Sequence, residues 1–191
     1  MIRQCIDSLV RTRLRGFAAD QRGVSAIEFA ILLPLMLTLY LGGVEISQAV
    51  SADRQNSLVA YTSANLVAQA SDITSANMTD VFNAASAVAF PFPSSNLAVT
   101  VTSVCVDSTG KIATVAWSQT QGGTARTGTV TSLIPSALMI ASTSLIWGES
   151  YYAYKPTIGW TITGTLTMKD QFFVSPRLSS SVTYNSASGC P

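Results

Sequence analysis

The stretch from Val24 to Val50 limits what this chain can become more than any other part of it. No charged side chain occurs from Phe29 to Val44, and the wider run contains only the carboxylates Glu28 and Glu45. A helix rises 1.5 Å per residue, so the uncharged core reaches about 24 Å and the wider run about 40 Å, which bracket a hydrocarbon layer of roughly 30 Å. The run reads as a membrane helix with its carboxylates near the two interfaces. Glu28 still needs a reason, because a charge even part way into lipid costs up to roughly 3 kcal/mol and is usually kept for a partner or a function. Charges outside the run set its orientation. Arg3, Arg11, Arg13, Arg15 and Arg22 precede it against Asp7 and Asp20, and the remainder of the chain is slightly acidic. The positive-inside rule then keeps the N-terminus cytoplasmic and exports the long C-terminal part. Beside an anionic leaflet each arginine is worth about 1 kcal/mol, so the cluster reads as a topology anchor and not as a nucleic-acid patch.

Gly23 is followed by the uncharged residues Val24 to Ile27, then by Glu28 and the aromatic Phe29. This spacing resembles the processing site of type IV pilin-like proteins. With Arg22 before the glycine, Ala30 after the aromatic and Pro34 beyond it, the segment is most similar to the TadE/TadG-like pseudopilins of tight-adherence (Flp) pilus systems. Further matches to that family's pattern follow in order: Trp117-Ser118, Leu133-Ile134-Pro135, the run from Glu149 to Pro156, and Pro176-Arg177. The resemblance implies a minor pilin or pseudopilin, a structural subunit of pilus biogenesis. It implies that a prepilin peptidase cuts between Gly23 and Val24, and that Glu28 on the mature helix attracts a neighbouring subunit's N-terminus. Phe29 and Pro34 belong to the same assembly segment. The implied partners are the inner membrane, other pilins or pseudopilins, the pilus assembly machinery and the peptidase. The implied location is a single pass through a bacterial inner membrane with the C-terminal domain periplasmic. A conventional signal peptide ending at Ser47-Gln48-Ala49 competes with this reading but accounts for neither Gly23 nor Glu28.

The expected organisation is a cytoplasmic leader over residues 1–23, a transmembrane helix over 24–50, a helical extension over 51–90 and an exported β-rich domain over 91–191. The fold class is α+β: a transmembrane helix prolonged as a pilin-like helix, then a small antiparallel sheet. Helix-compatible composition runs through Gln69, with Val59, Thr62, Leu66 and Ala70 as a weak stripe. A second helix opens at Asn77, with Asp80 placed as in a capping box. Met78, Val81, Phe82, Ala85 and Ala89 then form one apolar face, and Pro91-Phe92-Pro93 ends it. From Leu97 the period becomes two, through a strand past Cys105 to a turn at Asp107 to Gly110. Ala113, Val115 and Trp117 are expected on one face of the returning strand, and a glycine loop follows at Gln121 to Gly123. Pro135 opens a short helix over 136–141. Leu145 to Tyr154 reads as a central or half-buried strand, and 181–184 as a last one. In an oxidising compartment Cys105 and Cys190 are the natural disulfide pair, with two free thiols the alternative, while Cys5 stays in the leader.

Chemistry is hard to place on this chain. It has no histidine, and hence no Ser-His-Asp or Cys-His arrangement. Neither Cys-x-x-Cys nor a phosphate-cradling glycine loop ending in Lys-Ser/Thr occurs. Glu149 and Asp170 are the one carboxylate pair to consider for glycoside hydrolysis, and acids of that kind also serve solubility. The expectation is a protein that is not an enzyme, without catalytic residues, metal, cofactor, nucleic acid or small-molecule substrate. The alternative is a signal-anchored envelope protein whose α+β domain binds a ligand or partner and never enters a pilus.

Overall fold

The computed structural model describes residues 22–156, 158–159, 163–187 and 189–190. The expected leader through Gln21, including Cys5, lies outside the described residues.

Helix α1 spans Arg22–Ala68, 47 residues, or about 70 Å. It runs unbroken through Pro34, and the Thr38 hydroxyl donates to the Pro34 carbonyl at 2.7 Å. Residues 23–40 are exposed on every side, whereas Leu41, Gly42, Val44 and Glu45 begin to be covered. Beyond them a buried stripe of Ala52, Asn56, Val59, Ala60, Ser63, Ala64, Val67 and Ala68 packs on a sheet. The expected stripe is rotated from this one. Val59 belongs to both, but Thr62, Leu66 and Ala70 are only half-buried, on the flank where the second helix sits. The true contact face is mostly small, with four alanines and Ser63 among its eight residues, and such residues carry little apolar signal yet let another backbone approach closely.

After α1, strand β1 (Asp72–Ile73) pairs in parallel with the distant β6 (Thr183–Tyr184). Helix α2 spans Ser75–Val88. It starts earlier than expected, because Thr74 is the N-cap: the Asn77 N–H donates to the Thr74 hydroxyl at 3.2 Å, and the Thr74 N–H donates to the Asn77 side chain at 3.3 Å. The capping box thus uses Thr74 with Asn77, not Asn77 with Asp80. Its apolar face is buried at Met78, Val81, Phe82, Ala85 and Ala89, as the periodicity predicts.

The main sheet is four-stranded and antiparallel, in the order β3-β2-β4-β5. Strand β2 (Leu97–Val106) turns at Asp107, whose carboxylate accepts from the N–H groups of Ile112 (3.0 Å) and Lys111 (2.8 Å) and from the Thr109 hydroxyl. These donors, Ile112 first, lower its pKa to about 2. In β3 (Ala113–Gln121) the register slips between Ser103 and Val104, leaving Ala116 as the extra residue of a bulge. The single-face expectation for Ala113, Val115 and Trp117 therefore fails. Val115 stays on the face away from α1, and Trp117 rotates to the α1 side, where its indole N–H donates to the Val182 carbonyl at 2.8 Å.

Strand β4 (Ser144–Tyr154) is central, and it runs back along α1. Gly148 lies against Ala60 and Ala64, the Ser150 hydroxyl donates to the Asn56 carbonyl at 2.7 Å, and Tyr154 lies beside Glu45. Strand β5 (Leu166–Val174) has no counterpart in the sequence expectations. It is an edge strand whose middle, Lys169-Asp170-Gln171, is polar, so it lacks an apolar alternation; charges of this kind also blunt an edge. On the far face of the sheet Val104, Leu145 and Trp147 are covered by Val130 and Ile134 from the excursion between β3 and β4. The helix expected over 136–141 is a single 3-10 turn, Ser136–Leu138. A disulfide joins Cys105 of β2 to Cys190 and closes the chain's end onto the sheet.

Candidate functional site

The processing and assembly residues singled out from the sequence share one place, apart from the Cys105–Cys190 pair in the sheet domain. Gly23, Val24, Glu28, Phe29 and Pro34 all lie on the exposed first part of α1, which is clear of the sheet domain. That helix is long and apolar enough to cross a membrane, with a mean hydropathy of 2.0 over its most apolar window. At Gly23 a Cβ would meet nothing within 4 Å. A helical glycine costs roughly 1 kcal/mol relative to alanine, and the described residues supply no packing reason for it. Gly43 has the same freedom. Glu28 is exposed, with no element among the described residues packed over it. What this end of the helix offers is a carboxylate on an apolar rod, a group that is costly in lipid without a partner.

Residues 23–65 match the family described as TadE-like protein. The chain carries a TadE-like segment. No curated protein and no solved structure matches the chain. The TadE-like match starts at Gly23, covers the whole exposed stretch, and continues into the part of α1 that packs on the sheet. It suggests a protein related to the tight-adherence pilus system.

Behind the TadE-like helix, the far face of the sheet holds a polar cluster that sequence reasoning missed. The Arg126 guanidinium donates to both oxygens of Glu149, at 2.9 Å and 2.7 Å, and lies 5.0 Å from the centre of the Trp147 ring. The Tyr151 hydroxyl donates to the same carboxylate at 3.1 Å. Glu149 is 3% exposed, so its charge depends on these donors. Hydrogen bonding to Glu149 raises the Arg126 pKa, and burial raises that of Tyr151. Sequence offered no signal for the pair, since Arg126 arrives on a glycine-rich excursion that no periodicity describes. Asp170, on the neighbouring strand, borders the same surface pocket, but it pairs with Ser150 while Glu149 pairs with Gln171, so the register sets the two carboxylates on opposite faces of the sheet. The aromatic run is core packing: Tyr152 and Tyr154 are buried, and Phe92 meets both rings edge-on at 6.1 and 6.2 Å. Pro176-Arg177 closes the end of α1, where the Arg177 N–H donates to the Ala68 carbonyl at 2.9 Å and its guanidinium donates to Asn65 at 2.7 Å.

Proposed function

We propose that the protein is a minor pilin, or pseudopilin, of tight-adherence pilus biogenesis. It is anchored by one pass of α1, with its N-terminus cytoplasmic and its sheet domain on the opposite side of the inner membrane. A prepilin peptidase cuts between Gly23 and Val24. The mature helix then carries Glu28 close to a new amine at Val24, and the two groups pair between neighbouring subunits. Phe29 and Pro34 pack in the same helix bundle. The observation that supports this reading is the combination at the start of the TadE-like segment: a glycine and a carboxylate that no described residue packs against, both on helix that the sheet domain leaves bare.

Two substitutions test it. Gly23 replaced by a bulky residue should leave the longer, unprocessed chain in the membrane, and N-terminal sequencing of the wild type should begin at Val24. Sequencing that finds Val50, or intact Met1 in cells with active peptidase, sinks the processing step. Glu28→Gln keeps size and hydrogen-bonding capacity but loses the charge. It should insert and be processed normally yet crosslink poorly to other pilins. Equal crosslinking and equal piliation would leave Glu28 with no pairing role, as in an envelope protein that never enters a pilus.

A further inference from the structure

The half of α1 that carries the domain also shows an outward stripe. Val50, Leu58 and Tyr61 are 46%, 49% and 40% exposed, and the exposed Arg54 stands among them at helical spacing. Tyr61 is propped edge-on by Phe172 of β5, with ring centres 4.9 Å apart. Val50 lies about 15 Å along the axis beyond Tyr40, the last residue of the bare stretch, and Tyr61 about 32 Å beyond it. On the reading that the bare stretch spans the membrane, these apolar side chains face water and not lipid, as at an interaction surface. A groove of about 420 Å³ opens further along, between the end of α1 and helix α2. Leu66, Ala70, Val81 and Ala84 give it an apolar lining, and the exposed Asp80 stands beside them. Asp72 also borders it, but its carboxylate already accepts from Thr183 and Ser186 of the tail.

The two surfaces match in polarity and in charge. One is an apolar ridge with a cation in it, and the other an apolar trough with an anion beside it; neither Arg54 nor Asp80 has an ion-pair partner among the described residues. They cannot meet within one chain. Arg54 and Leu66 are fixed on the same helix, about 18 Å apart along the axis and about 120° apart around it. Two stripes set face to face would bring Arg54 against Arg54, a like-charge contact that opposes a symmetric pair. We propose that the groove receives the stripe of a second copy of this chain, with Leu58 in its apolar part and Arg54 paired to Asp80. Because stripe and groove are different surfaces, each copy uses one and leaves the other open, so the contact runs head to tail and repeats. With the α1 helices parallel, each added copy is displaced by about 18 Å along the axis. Two copies seated at equal depth in one bilayer lack that displacement, so the contact forms as one of them moves outward. This deepens the proposed assembly role by naming a surface and its partner, and rests on that reading for the direction of movement.

The test uses the full chain in mild detergent, where no bilayer fixes depth, and follows its mass by analytical ultracentrifugation over a concentration series. Wild type should form species that keep growing with concentration and do not stop at a dimer. Arg54→Glu and Asp80→Arg should each weaken association about tenfold, since a like-charge contact replaces an ion pair. Both positions are exposed, so tryptophan fluorescence should report unchanged melting temperatures. Mixing the two variants should restore association, because opposite charges then meet at every contact between unlike copies. Leu58→Gln should weaken it through the apolar part alone. A monomeric wild type, a closed dimer, single variants that associate like wild type, or a mixture that stays apart overturns the contact. Association that appears only when another pilin is added assigns the groove to a different subunit and overturns the second copy. None of these measurements requires cleavage at Gly23 or a charge at Glu28, so the contact can fail while the pilin reading stands, and the reverse.

Discussion

Glu149 illustrates how a single buried charge fixes its surroundings. Its carboxylate is held by the two-pronged Arg126 and by Tyr151, and Arg126 in turn covers Trp147. Removing Arg126 strands an ion whose desolvation has already occurred, a loss of 3–5 kcal/mol for a fully buried pair. The Arg126 side chain is 35% exposed, so water screens part of this. We expect Arg126→Met to destabilise the domain by about 2–3 kcal/mol. Glu149→Gln should cost less, since the amide carbonyl still accepts one bond and no charge is left behind. Thermal unfolding of the full chain in mild detergent, followed by tryptophan fluorescence, compares the two. An Arg126→Met variant as stable as wild type would show that the excursion holds its place through Val130 and Ile134 alone.

At the level of elements, the meeting of α1 with the sheet depends on missing side chains. A Cβ on Gly148 would fall 2.5 Å from the Ala60 carbonyl oxygen and 2.9 Å from the Ala64 Cβ, and a backbone carbonyl cannot move aside as a flexible side chain can. Gly148→Ala should therefore push β4 off the helix and cost about 1–3 kcal/mol, read as a lower melting temperature in the same detergent assay. An unchanged melting temperature would mean that the sheet slides without penalty. The same packing explains what was legible beforehand. The bare end of α1, the face of α2 and strands β2 and β4 announce themselves because large apolar residues repeat at the right period. The α1 contact face does not, because its four alanines and Ser63 work by being small. The bulge at Ala116 defeats strict alternation and sends Trp117 to the other face. Strand β5 hides behind Lys169 and Asp170, and the Arg126–Glu149 pair joins segments that only the folded sheet brings together. Gly23 and Glu28 were visible for the opposite reason: no described residue packs on them, and their pattern stands out from the apolar run around it.

For the whole molecule, the C-terminal tail decides how firmly the pieces are held. It crosses from the sheet to the α1–α2 junction, where β6 pairs with β1 and the Asn185 side chain accepts from the Ser75 N–H at 3.0 Å, at the start of α2. Asp72 receives the Thr183 hydroxyl and the Ser186 N–H, and these bonds, Thr183 first, lower its pKa. The Cys105–Cys190 disulfide then ties the same tail to β2 across a sequence separation of 85. Closing a loop of that size removes unfolded-state entropy worth roughly 4–5 kcal/mol, though measured gains are often smaller. Replacing both cysteines with serine avoids a stray thiol and removes only the tether. We expect a clear drop in melting temperature while the four-stranded sheet and its packing on α1 persist. Hydrogen exchange should quicken first at the Ser75, Thr183 and Asn185 amides, because the tail's few hydrogen bonds hold a short segment with little buried area. If those amides keep wild-type protection while the melting temperature falls, the bridge acts on the unfolded chain alone and the tail docks unaided. If exchange quickens throughout β2 and β4 as well, the tail is part of the cooperative core, and the α2 cap and the sheet unfold as one unit.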